Sequence, residues 1–176
     1  MKILVTGGTG VVGSQVVARL RAHDAQVKVL SRKTSPNLPE GVTAVQGDLT
    51  TGKGLSEAIS DIDTLVHCAT NAGFGDTWAD VAATRRLTEA ATTSGARPHL
   101  VYVSIVGIDR VPYGYYRAKL ATEGLIAASG LPWTTLRATQ FHELAHMVAA
   151  TLARSPVLPV PPGVRSDLVE SGAVAQ

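Results

Sequence analysis

Two short stretches hold residues whose types and spacing could do chemistry. "HELAH" (142–146) sets His142, Glu143 and His146 in the pattern H-E-x-x-H. On a helix, that spacing puts two imidazoles on one face to hold zinc, with a glutamate beside them to activate water. "TGGTGVVG" (6–13) sets Gly7, Gly10 and Gly13 at three-residue intervals. Here the first glycine permits a tight turn, the second lets backbone approach a pyrophosphate, and the third lets a helix pack closely on a strand. The N-terminus of that helix offers free N–H groups and positive dipole to the phosphates. The zinc reading needs a third ligand, for which Asp167 and Glu170 are the carboxylates at usable distance. The glycine reading needs a strand before it and a helix after it.

The elements that must position these residues favour the glycines. Short apolar, β-branched runs at 2–6, 27–31, 42–46, 64–69, 99–104 and 133–137 read as strands covered on both faces. Alanine-rich stretches at 11–23, 53–60, 77–95, 113–129 and 140–153 read as helices between them. Such alternation predicts an α/β fold, a Rossmann-like doubly wound parallel sheet flanked by helices. The first strand ends at residue 6 and the first helix opens at 11, so the glycine triplet stands where a dinucleotide loop requires it. Residues 1–156 are expected to form this domain. Residues 157–176, the proline-rich "VLPVPPG" and a short polar tail, read as a linker and the truncated start of a C-terminal substrate region, without a clear strand or helix.

Composition removes other classes. Of 176 residues, 45% are hydrophobic and 17% charged, with a formal net charge of +2 and no basic cluster beyond Arg32-Lys33 and Arg85-Arg86. That balance excludes a disordered chain and argues against nucleic-acid binding. Cys68 is the single cysteine, so no intrachain disulfide exists, and its apolar setting suits a buried small hydrophobe. Neither a secretory signal nor a membrane-length apolar run is present, and the expectation is a cytoplasmic protein.

The second strand ends in "SRK", where an acidic residue would accept the ribose hydroxyls of NAD(H). Ser31, Arg32 and Lys33 instead suit a 2′-phosphate, so NADP(H) is expected over NAD(H). Asp48, in "GDL" after the third strand, is placed to meet the adenine amino group.

With "TGGTGVVG", "SRK", "GDL", "HCATN", "LVYVS", "YYRAK" and "LRATQF" in family order, the chain resembles an atypical short-chain dehydrogenase/reductase of the NmrA-like, NAD(P)H-binding kind. The resemblance implies phosphate contacts from Thr9, Gly10, Val11 and Val12, adenine contacts from Asp48 and Leu49, and a ribose side lined by Cys68, Ala69 and Thr70. It also implies a catalytic trio. Tyr115 donates or accepts a proton at the substrate oxygen, Lys119 lowers its pKa and holds the nicotinamide ribose, and Ser104 orients the substrate. Tyr115 and Lys119 stand at i, i+4, on one helix face. A phenol near pKa 10 is a poor catalyst at neutral pH until a cation stabilises its phenolate.

The resulting expectation is an NADP(H)-dependent oxidoreductase reducing a small carbonyl or quinone-like molecule. A non-catalytic redox-sensing regulator and an epimerase or dehydratase remain as alternatives. Relatives run on beyond residue 176, so a second copy or a protein partner is expected over the open substrate face. "HELAH" is expected to be ordinary helix, with His142 as a candidate for the substrate mouth and no metal bound.

Overall fold

The computed structural model describes residues 1–71, 76–110, 113–141 and 168–175. Six strands, β1 (Lys2–Thr6), β2 (Gln26–Ser31), β3 (Thr43–Gln46), β4 (Thr64–His67), β5 (His99–Ile105) and β6 (Trp133–Ala138), form one sheet in the order β3-β2-β1-β4-β5-β6. Every pairing in it is parallel. This is the doubly wound arrangement predicted, with the order reversing between β1 and β4. In sheets of this kind, ligands bind at that reversal, beyond the carboxyl ends of the strands.

Alternation along each strand feeds two cores. Leu4, Leu65, Leu100 and Tyr102 point to the side covered by α2 (Leu55–Ile59), α3 (Trp78–Thr93) and α4 (Gly114–Ala127), where they meet Ile59, Leu87, Ala91 and Ile126. Ile3, Val5, Val27 and Val29 point to the other side and pack with Val17 of α1 (Val11–Ala22). Leu4, Leu65 and Leu100 are fully buried, each contributing about 2 kcal/mol by removal from water. Helix α4 buries Ala118, Thr122 and Ile126 at four-residue intervals, with Lys119 alongside them. That phase puts Lys119 against the sheet.

The observed elements depart from the predicted ones mainly near the end of the chain. Residues 140–141, expected to open a helix, form a short strand, β7 (Gln140–Phe141), paired in parallel with β8 (Leu168–Val169). The polar tail read as unstructured supplies β8 and one turn of helix, α5 (Ser171–Val174), which packs against α1. Two-residue strands exist only through their partner, so no local periodicity announces them. The remainder of the predicted 140–153 helix, "HELAH" included, and the proline-rich stretch lie outside the described residues.

Candidate functional site

The loop after β1 is shaped by clashes that only glycine avoids. Gly7 has φ +72°, and a Cβ there would stand 2.6 Å from Ala69 N in the loop after β4. A Cβ on Gly13 would stand 2.1 Å from Gly7 O, so α1 can seat on the loop only with a bare backbone at that position. Gly10 is different. It is exposed, and a Cβ would meet only Gly7 O, at 3.2 Å. Gly10 N donates to Gly7 O at 2.9 Å, closing the turn, and Gly10 caps α1 without any side-chain bond to the first-turn amides. Thr9, Gly10 and Val11 are exposed, with Val12 half-buried. This backbone cradle fits a pyrophosphate.

The ends of β2 and β3 converge beside it. The Lys33 amide donates to Ser31 Oγ at 3.1 Å, and the Gly47 amide donates to Ser31 O at 2.9 Å, leaving Arg32 and Lys33 exposed. Asp48 Oδ1 accepts from the Thr50 hydroxyl at 2.7 Å and the Thr50 amide at 2.8 Å. Those bonds hold the Asp48 carboxyl below its usual range, and the Arg32 charge adds to the effect. Leu49 is half-buried against the core.

Beyond β4, Cys68 and Ala69 are half-buried and Thr70 is exposed. Burial pushes the Cys68 thiol up to about 11, against the pull of Lys119, which leaves it a protonated bystander at neutral pH. Thr70 Oγ1 lies 3.2 Å from the Tyr115 hydroxyl and donates to Asp80 Oδ2 at 2.8 Å. Asp80 also accepts the Asn71 amide, at 3.1 Å on Oδ1 and 2.8 Å on Oδ2.

Lys119 is 7% exposed, donates to Val103 O at 3.1 Å, and sets its Nζ 4.7 Å from the Tyr102 ring centre and 5.9 Å from that of Tyr115. Burial lowers its pKa to about 8, against the opposing pull of Asp80, Cys68 and Glu123. Burial likewise pushes the Tyr115 phenol up and the Asp80 carboxylate adds to that, while the Thr70 hydroxyl would lower it where it acts as the donor. Ser104, on the same face of β5 as Tyr102, is 1% exposed, and its Oγ meets no partner at normal hydrogen-bond geometry. Burial would raise Glu123, but Arg137, with help from the Ser104 hydroxyl, holds that carboxyl below its usual range. The structure therefore joins Tyr115 and Lys119 to the Cys68–Thr70 loop, while the Ser104 hydroxyl sits on the Glu123 side.

Under the site runs a buried chain that sequence reasoning did not find. Thr6 Oγ1 lies 2.6 Å from His67 Nδ1, His67 Nε2 lies 2.9 Å from Thr84 Oγ1, and the Thr84 hydroxyl donates to Asp80 O at 2.8 Å. A hydroxyl has one hydrogen. Thr84 spends its own on Asp80, so it accepts from His67 Nε2–H, and Nδ1 accepts from Thr6. His67 is thus a neutral Nε2–H tautomer, stacked on Tyr102 at 5.6 Å between ring centres. Burial, aided by the Lys119 charge, lowers its pKa to about 3. Asp80 was missed because a single acid in the first turn of a helix signals only a favourable dipole contact. His67 was passed over as one polar residue in an apolar strand.

Among the described residues, no group of three His, Cys, Asp or Glu is arranged to hold a metal. None of the described helices is long and apolar enough to cross a membrane.

The family model described as NAD(P)H-binding matches residues 7–154. A reductase of Streptomyces griseus acting on (4-alkanoyl-5-oxo-2,5-dihydrofuran-3-yl)methyl phosphate is 32% identical over 143 residues, covering 79% of this chain and 48% of its own. The chain spans about half or less of the curated relatives it matches, 40% for a Stenotrophomonas maltophilia 2-alkyl-3-oxoalkanoate reductase and 19% for a Mycolicibacterium neoaurum 3-beta-hydroxysteroid dehydrogenase. Among solved structures, the Thermus thermophilus UDP-glucose 4-epimerase with NAD superposes with TM-score 0.78 at 26% identity, over 99% of this chain and 72% of that one. The Citrobacter triphenylmethane reductase with NADP(H) shares the fold, with TM-score 0.77 at 22% identity, over 99% of this chain and 63% of that one. With the glycine cradle, the parallel sheet and the family match in agreement, this chain belongs to the NAD(P)H-binding family of atypical short-chain dehydrogenases/reductases.

Proposed function

We propose that the chain is an oxidoreductase preferring NADP(H), which reduces a small carbonyl or quinone-like substrate with Tyr115 as proton donor. The observation that carries this is the buried Lys119 cation, 5.9 Å from the Tyr115 ring centre and held by Val103 O. With a pKa near 8, it stays mostly charged at neutral pH and favours the phenolate left once Tyr115 gives up its proton. The reductase and dehydrogenase names among its relatives support the same class of reaction.

When bound, the dinucleotide supplies the hydride. The chain supplies the rest. Backbone at Gly7, Thr9, Gly10, Val11, Val12 and Gly13 binds the pyrophosphate, and Ser31, Arg32 and Lys33 bind the 2′-phosphate. Asp48 and Leu49 flank the adenine, while Cys68, Ala69, Thr70 and Lys119 face the nicotinamide ribose. Ser104, near the end of β5, helps orient the substrate.

Titration with NADPH and NADH, followed by nicotinamide fluorescence, tests the cofactor half. NADPH should bind more tightly, and alanine at Arg32 and Lys33 should remove most of the difference, on the order of 1–3 kcal/mol. Turnover of a carbonyl and quinone panel tests the other half. Tyr115→Phe should keep NADPH affinity and lose roughly 10²–10⁴-fold in rate. Tight NADPH binding with no turnover of any panel member would favour a cofactor-sensing regulator instead.

A further inference from the structure

We infer that Asp80 is a positioning residue for Tyr115, acting through the Thr70 hydroxyl, an inference that rests on the oxidoreductase reading. It follows from counting protons. Thr70 Oγ1 donates its only hydrogen to Asp80 Oδ2 at 2.8 Å, and a carboxylate can only accept. At the 3.2 Å contact between Thr70 and Tyr115, the phenol is therefore the donor. Its hydrogen points at the Cys68–Thr70 loop, and its neutral form is the one that the contact satisfies. The bond is long for O–H···O, so a substrate oxygen arriving beside Tyr115 can take the proton over.

Asp80 is held rigidly enough to do this. The Asn71 amide bridges both carboxylate oxygens. The Thr84 hydroxyl donates to the Asp80 carbonyl and ties it to His67 and Thr6 of the sheet. The groups facing Tyr115 are Asp80 on α3, Tyr113 at the N-cap of α4, Tyr116 and Lys119 on α4, and Tyr102 on β5. Lys119 brings positive charge to the phenol and Asp80 brings negative charge, from opposite neighbouring elements. Lys119 favours releasing the proton to substrate, and the Asp80 charge favours keeping it until substrate is there. A Thr70 hydroxyl that donated to the phenol would lower its pKa, but with its hydrogen committed to Asp80 it accepts, and so holds the proton on Tyr115. The arrangement suits reduction, in which Tyr115 must start protonated.

The test uses the full chain without cofactor, labelled with ¹³C at tyrosine Cζ and titrated by NMR, with Tyr115→Phe assigning the Tyr115 signal. Asp80→Asn, which keeps the shape and removes the charge, should move the Tyr115 midpoint down. Thr70→Val should also move it down, and Thr70→Ser, which keeps the hydroxyl, should leave it in place. In the Thr70→Val background, Asp80→Asn should shift the midpoint less than it does alone, because the connection is already cut. An unchanged midpoint in Asp80→Asn overturns the inference. So does an equal shift with and without Thr70, which would mean that Asp80 acts only as a distant charge. Should Asp80→Asn not fold, the Thr70→Val and Thr70→Ser pair decides, and equal midpoints in those two overturn the inference. Carbonyl reduction with NADPH is measured alongside. Midpoint shifts without turnover sink the oxidoreductase reading and leave Asp80's hold on Tyr115 standing. Turnover without midpoint shifts sinks the role of Asp80 alone.

Discussion

His67 makes the stability of this protein depend on pH from well above the carboxylate range. It is 3% exposed, with both ring nitrogens bonded to threonine hydroxyls, and burial takes its pKa from 6.5 to about 3. Below pH 6.5 the unfolded chain takes up a proton at this position that the folded chain refuses, so folding loses about 1.4 kcal/mol per pH unit until pH falls to about 3. pH 5 lies 1.5 units below the midpoint of the unfolded imidazole, and the loss relative to pH 7 is about 2 kcal/mol. The depressed carboxyls, Asp48, Asp61 and Glu123, begin to matter only at lower pH, where they add to the loss. Lys119, whose folded value is near 8, is protonated in both states throughout this range. Urea unfolding followed by circular dichroism at pH 7, 6 and 5 measures the slope. His67→Gln, which keeps an amide donor and acceptor but does not titrate, should start less stable and lie nearly flat over the same interval. If the variant slopes as steeply as the parent, His67 is not the group responsible, and the neutral tautomer derived from the hydroxyl network is wrong.

Other expectations are independent of that one. Gly13→Ala should unfold at lower denaturant and lose NADPH binding in fluorescence titration, since its methyl would sit 2.1 Å from Gly7 O; overpacking of this kind costs about 1–3 kcal/mol. Lys119→Met should retain a folded chain by circular dichroism while slowing carbonyl reduction at least about tenfold. Because the Lys119 charge fades as pH rises through about 8, the parent's rate should fall there, and the Met variant's rate should lack that fall. Elemental analysis of purified protein should find far less than one zinc per chain, with cofactor affinity unchanged in His146→Ala.

The sheet was legible because its strands are short apolar runs between glycines and helix caps, and burial on both faces makes such runs near-continuous. The strand ends agree with the sequence reading to within a residue or two. The long amphipathic helices α1, α3 and α4 were equally plain, their buried positions recurring at helical spacing. The pair β7 and β8 was not legible, because it depends on residues 140–141 meeting 168–169, a contact no local window contains. At the site, residues carried by a backbone pattern were visible: Gly7, Gly10 and Gly13 by spacing, Tyr115 and Lys119 by the helix face. Residues that act through side chains brought together from different elements were not. Asp80 meets Thr70 from the far end of a loop, and His67 meets Thr84 from a strand to a helix. Only the fold shows that the acid, the threonines and the histidine form one connected set.

The glycines after β1 differ in what they answer to, and this bears on how such a motif should be read in any chain of this shape. Gly7 and Gly13 are demanded by the protein's own packing, one against the Ala69 backbone and the other against Gly7 itself. A descendant that gave up the dinucleotide entirely would still be obliged to keep both, or lose its first helix. Gly10 faces outward, and its nearest obstacle would yield with a shift of a few tenths of an ångström. Among the three, only Gly10 is free to drift once the ligand is gone. Its identity, rather than the presence of the full triplet, is therefore the one that packing leaves for a ligand to decide.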